Sequence, residues 1–169
     1  MVEQQSKHGK FIAFELARHW IALPAAAVLR IVNCPPPNQG GTVGLGIVQL
    51  GPHTIRLLDL QPKLGLQSEA HQPEKTPFLL VIQESQQALW GIALDTPPDI
   101  LELPFSRFKP VPPEKRLEPK LQWISHMAVI TEQEIRRTLL FLNLKAVFQS
   151  KASESNAQSA DRQLKSLTL

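Results

Sequence analysis

The chain of 169 residues carries one order of short apolar segments twice, and no other feature narrows the possible folds as far. Phe11 to Leu16 answers to Phe78 to Glu84, and Trp20 to Pro24 answers to Trp90 to Asp95. Val28 to Val32 answers to Ile100 to Pro104, Ile47 to Leu50 to Met127 to Ile130, and Leu57-Leu58-Asp59-Leu60 to Phe141-Leu142-Asn143-Leu144. The offset grows from 67 to 84 residues, the length of one five-strand unit used twice. Short segments, proline-rich turns and almost no helical periodicity predict an all-β chain of two five-stranded barrels, each closing its sheet edges on itself.

The stretch Gly44 to Leu66 shows the unit in detail. Ile47 to Leu50 is an apolar run, Gly51-Pro52-His53 supplies turn chemistry, and Thr54 to Leu60 resumes with β-branched and aliphatic residues, so the spacing predicts a hairpin. The second strand changes from alternation to apolar on both faces at Leu57, Leu58 and Leu60, which predicts cover on both sides. Asp59 lies inside that part, followed by Pro62 and Gly65, an order that suits a single helical turn. Asp59 and its repeat counterpart Asn143 are therefore expected to cap backbone N–H groups rather than to do acid–base work.

Elsewhere, Phe11 to Leu16 alternates as a half-buried strand should, and Phe78 to Ile82 is apolar enough to be buried on both faces. Ala25 to Ala27 is too short for a stable helix and reads as a bent or helical lead-in to Val28 to Val32. Residues 104–120 hold five prolines and read as a long surface loop. The domain reading is a flexible N-terminus over 1–9, one domain over 10–148, and a disordered tail over 149–169. Within the domain a first barrel spans about 10–67 and a second about 77–148, partly intertwined, with the polar stretch Ser68 to Pro77 between them.

Chemistry has little foothold. Asp59, Asp95, Asp99 and Glu102 are the candidate acids and His19, His53, His71 and His126 the candidate bases, but no nucleophile elbow or zinc-ligand motif joins them. The glycine-rich stretch Gly40 to Gly46 lacks the lysine of a phosphate loop. The single cysteine, Cys34, excludes an internal disulfide, and no cofactor or metal is indicated. A net charge of +3, with 18 basic residues scattered among 15 acidic ones, argues against nucleic acid. No apolar run approaches the roughly 20 residues of a membrane span, so a cytoplasmic protein without membrane insertion is expected. Trp20 and Trp90, at matching repeat positions, read as core anchors.

Three blocks resemble the CheW-like domain of bacterial chemosensory scaffolds. The first is Gly46-Ile47-Val48-Gln49-Leu50 with Leu57-Leu58-Asp59-Leu60 and Lys63-Leu64-Gly65-Leu66. The second is Trp90 to Asp95 with Asp99 to Pro104, and the third is Leu140 to Phe148. The resemblance implies two SH3-like barrels around a shared core, with a groove between them where a partner helix could lie. It also implies a non-enzymatic adaptor that couples a methyl-accepting chemoreceptor to the regulatory domain of a CheA-type histidine kinase. The family's partner contacts map onto Val28, Arg30, Gly46 and Gly51. Two of these depart from the family pattern: Arg30 stands where an acidic residue is common, and Gly51 where a basic one is usual. Such changes fit a divergent pathway, steering type IV pilus motility or phototaxis as readily as flagellar chemotaxis. The competing class is a small β-barrel enzyme or ligand binder unrelated to two-component signalling, which needs a concave site with convergent polar groups.

Overall fold

Strand β1 (His8–Leu16) shows why the sheets form as they do. In the computed structural model, which describes residues 7–41, 46–66, 78–85, 88–118 and 121–149, both faces of this strand are covered. Successive side chains of a strand point to opposite faces. Ile12, Phe14 and Leu16 accordingly enter one core while Phe11 and Ala13 enter another. Strand β6 (Phe78–Ser85) does the same, with Leu80 and Ile82 in the first core and Leu79 and Val81 in a third. The two-sided burial expected of β6 is thus present. β1, expected to be half-buried, differs because Ala13 faces the inside of a barrel instead of water.

The remaining strands are β2 (His19–Pro24), β3 (Val28–Asn33), β4 (Ile47–Leu50), β5 (His53–Leu57), β7 (Ala88–Leu94), β8 (Asp99–Pro104), β9 (Lys109–Pro110), β10 (Ile124–Glu132) and β11 (Ile135–Leu142). Among the described residues they form a six-stranded sheet, β8-β1-β2-β11-β10-β9, and a five-stranded sheet, β3-β6-β7-β5-β4. Leaving β9 aside, the two orders coincide once β6, β7, β8, β10 and β11 are read as second copies of β1 to β5. Each sheet draws on both repeats: β1 and β2 sit among second-repeat strands, and β6 and β7 among first-repeat strands. Two parallel pairs, β2 with β11 and β5 with β7, stitch the exchanged strands in place. The divisions at 67 and 77 therefore separate the repeats and not the sheets.

Register also corrects the pairing of the tryptophans. Ala22 lies opposite Phe141 and Gly91 opposite Leu57, so Trp90 takes the position of Ile21 and not that of Trp20. A slip of one residue changes the face. Trp90 packs in the core between the sheets and its Nε1 donates to Glu84 Oε2 at 2.7 Å. Trp20 is half-buried on the six-stranded barrel, with the Arg137 guanidinium 4.5 Å from its ring centroid.

The connections hold further differences. Ala25–Ala27 form a single 3-10 turn before β3. The segment from Pro104 is more than a surface loop: β9 pairs with β10, and Val111 is 1% exposed, its N–H donating to the Ser125 carbonyl at 3.0 Å. Helix α1 (Leu60–Lys63) is the expected single turn, and Leu60 belongs to it and not to the strand before it. Gly65, at φ 62°, ends α1: its N–H reaches the Pro62 carbonyl and the Leu66 N–H the Gln61 carbonyl, the paired bonds of a left-handed helix terminus. After β11 the chain turns helical over residues 144–149 in place of continuing as strand.

Leu58 is 2% exposed in the core between the sheets, which also holds Leu60, Leu64 and Trp123. A carboxylate there would have to be desolvated without a partner, a loss on the order of 4 kcal/mol or more. Leu58→Asp is expected to abolish folding, measured as loss of the cooperative melt followed by circular dichroism.

Candidate functional site

The five-stranded barrel stays open between β3 and the β4–β5 hairpin, and the residues on each side explain why. A bulge separates Val28, which lies opposite Ile82, from Arg30, which lies opposite Val81. The extra residue, Leu29, is 53% exposed, a large apolar side chain on the lip of the opening. After the bulge Arg30 shares a side with Val81, whose side chain belongs to the barrel interior.

Facing it, the hairpin turn is held by Gln49. Its Nε2 donates to the Gly51 carbonyl at 2.8 Å while its Oε1 accepts from the Thr54 hydroxyl at 2.7 Å. Gly51 sits at φ 55°, a backbone conformation that suits glycine. The chain after Cys34 is tied to β4: Gly41 donates to the Pro36 carbonyl at 3.0 Å, and Gln49 N–H to the Gly40 carbonyl at 2.9 Å. Gly41 packs so tightly that a Cβ there would lie 1.6 Å from the Pro35 carbonyl oxygen.

The resulting groove has a volume of about 840 Å³. Val32, Ile55 and Val81 form an apolar floor, with Arg30, Gly51 and His53 around it and, among the described residues, no acidic one in the lining. Its charge is thus cationic, and its shape suits a protein surface with apolar and acidic groups.

Of the four residues assigned to partner contacts, Arg30 and Gly51 come together here. Val28 packs instead against the margin of the core between the sheets. Gly46, at φ 75°, lies at the other end of β4, roughly 16 Å from Gly51 at the rise of an extended strand, and its carbonyl accepts the Leu57 N–H. Leu29, Val81 and Leu89 were not singled out by sequence reasoning. The signal for Val81 was the two-sided apolar pattern of β6, which requires a second core for the alternate side chains.

The remaining candidates are dispersed. Asp59 takes the N-cap position of α1 but its side chain is exposed and makes no capping hydrogen bond, contrary to the covered position expected of it. Asn143 Oδ1 accepts the Ala146 N–H at 3.2 Å at the start of the helical residues 144–149. Asp99 and Glu102 are exposed on β8, and His19 Nδ1 lies 2.9 Å from the Ala17 carbonyl. His71 lies outside the described residues. Cys34 is half-buried against the five-stranded barrel core, and burial pushes its thiol pKa up, away from the reactive thiolate. Among the described residues no group of three or more His, Cys, Asp or Glu could hold a metal ion. No helix among them is long and apolar enough to cross a membrane.

The family model for the CheW-like domain matches residues 10–152. The chain belongs to the CheW-like domain family. A solved structure, the scaffolding protein TtCheW from Thermoanaerobacter tengcongensis, is similar at 14% identity with a TM-score of 0.58, over 84% of this chain and 88% of that one. At that identity the likeness speaks for the fold: the two curled sheets are the two SH3-like barrels of a CheW-like protein. No curated protein matches the chain. CheW-like proteins are, in general terms, coupling scaffolds of chemotaxis signalling and not enzymes.

The turn from Pro35 to Gly41 depends on the close approach at Gly41. Gly41→Ala should force the turn from Pro35 apart and cost roughly 3 kcal/mol, a lowered melting temperature being the check; an unchanged one would show that the loop adapts.

Proposed function

We propose that this CheW-like chain is an adaptor that couples a methyl-accepting chemoreceptor to the regulatory domain of a CheA-type histidine kinase, with the barrel groove as a docking surface for one of them. The observation that carries this reading is the meeting of Arg30 and Gly51 on one groove. In the family pattern these two positions commonly hold an acid and a base, and on a shared groove such a pair would leave it nearly neutral. Here the acid is replaced by Arg30 and the base by Gly51, and among the described residues no carboxylate lines the groove.

The change gives the groove a cationic character, so the favoured partner presents acidic groups around an apolar contact. A partner with a basic surface at this place is repelled, which is how parallel pathways keep their components apart. Leu29 and the floor residues supply apolar contact, and Val28 holds β3 against the core so that Arg30 is presented in one register. This reading fits a pathway with its own dedicated kinase and receptor, whether it steers flagella, type IV pili or phototaxis.

Arg30→Glu is expected to leave the fold intact and weaken the cognate complex by about 1 to 3 kcal/mol, with a smaller loss at high salt because the contact is partly exposed. Val28→Glu should weaken it more and with little salt dependence, because it disturbs packing. Titration calorimetry against the kinase regulatory domain and the receptor cytoplasmic fragment at two salt concentrations measures both. Unchanged affinity of Arg30→Glu for both partners would overturn the assignment.

A further inference from the structure

The six-stranded barrel carries a second concavity of about 600 Å³, at the place where β10 outruns its neighbour. β9 is two residues long and pairs only at His126 and Met127 of β10. Along Ala128 to Thr131 the outer edge of β10 has no strand beside it among the described residues, because the sheet ends at β9. A strand edge left open in this way offers backbone donors and acceptors to an incoming extended chain.

The side chains around that edge have one sign. Arg107, at the end of the 3-10 turn Phe105–Arg107, Lys109 on β9 and Arg136 on β11 all line the concavity, and among the described residues no acidic one does. The next arginine on β11 behaves differently: Arg137 lies 3.6 Å from Glu132 and over the Trp20 ring. Arg136, one residue away and on the opposite face of the strand, makes no such pair among the described residues. The floor is apolar, and Val129 is 41% exposed.

We infer that this edge binds an acidic, extended segment of a partner protein, which adds as a strand along β10 with carboxylates toward Arg107, Lys109 and Arg136 and its alternate, aliphatic side chains on the face of Ala128. Three cations are too few for a nucleic-acid footprint, which typically neutralises about six to ten phosphates. They stand on three separate elements around an apolar floor, a poor enclosure for a free phosphate and a good one for alternating acidic and aliphatic side chains. The site lies on the other barrel from the Arg30 groove, and it stands or falls independently of the coupling function.

The test uses the full chain labelled with nitrogen-15 and a synthetic peptide of alternating glutamate and valine. Controls are a lysine–valine peptide, oligodeoxythymidine and inorganic phosphate. The acidic peptide should shift the amide signals of Lys109 and Val129 and slow hydrogen exchange at Ala128 to Thr131. Its affinity should fall about tenfold or more in Lys109→Glu/Arg136→Glu, with the rest of the spectrum unchanged. Arg30→Glu should have no effect on this binding. Absence of localised shifts, equal binding by the double variant, or the same shifts produced more readily by oligodeoxythymidine or phosphate would each overturn the inference.

Discussion

The structure depends on one core that two sheets must build together. Ile12, Phe14, Ile21 and Leu23 from one sheet and Leu80, Ile82, Trp90, Ile92 and Leu94 from the other bury against one another, with α1 and the helical residues 144–149 adding Leu60, Leu64 and Val147. Each fully buried aliphatic of this kind contributes about 1.5 to 3 kcal/mol, a gain that chain ordering largely offsets. The strands that supply this core have a second face, which must fill the interior of a barrel. That double duty explains their composition: Ala22 and Gly91 point inward at the parallel seams, and Ala13 lies opposite Ala22 on β1. At Gly91 an added Cβ would already lie 2.8 Å from Leu79 Cδ1.

From this constraint follows the placement of the surfaces that do the work. Exchanging β1–β2 and β6–β7 leaves β3 and β8, equivalent strands of the two repeats, at the ends of their sheets. Repetition of the backbone does not require repetition of the charge. Arg30 lies opposite Val81 on one barrel and Asp99 opposite Ala13 on the other, so matching places carry opposite signs. A duplicated scaffold can in this way present two different faces to two different partners while a single interior holds it together.

How far the sequence revealed this depends on the range of each interaction. The repeat was readable because short apolar runs and their turn residues are local, and β4 falls at Ile47–Leu50 as read. That the barrels intertwine was expected, but not which strands are exchanged, since nothing in β1 or β6 says which of two equivalent sheets will receive it. The alignment of Trp20 with Trp90 failed for a related reason: aromatic identity matched, but the strand pairing that sets the face is a tertiary property. β9 and the buried Val111 were hidden because two residues of strand have no periodicity and the prolines around them signal a loop. For the groove, Arg30 and Gly51 could be picked out by resemblance, whereas their meeting required the bulge at Leu29 and the Gln49 clamp, which no pattern of apolar residues encodes.

The central claim is that neither repeat is a barrel by itself, because each barrel takes two strands from the other repeat. The most direct measurement is the proton–nitrogen spectrum of two fragments, residues 1–67 and 68–169, recorded apart and mixed. The account predicts collapsed, poorly dispersed spectra for each fragment alone and a dispersed, native-like spectrum for the mixture. A dispersed spectrum with a cooperative melt from either fragment alone would contradict it.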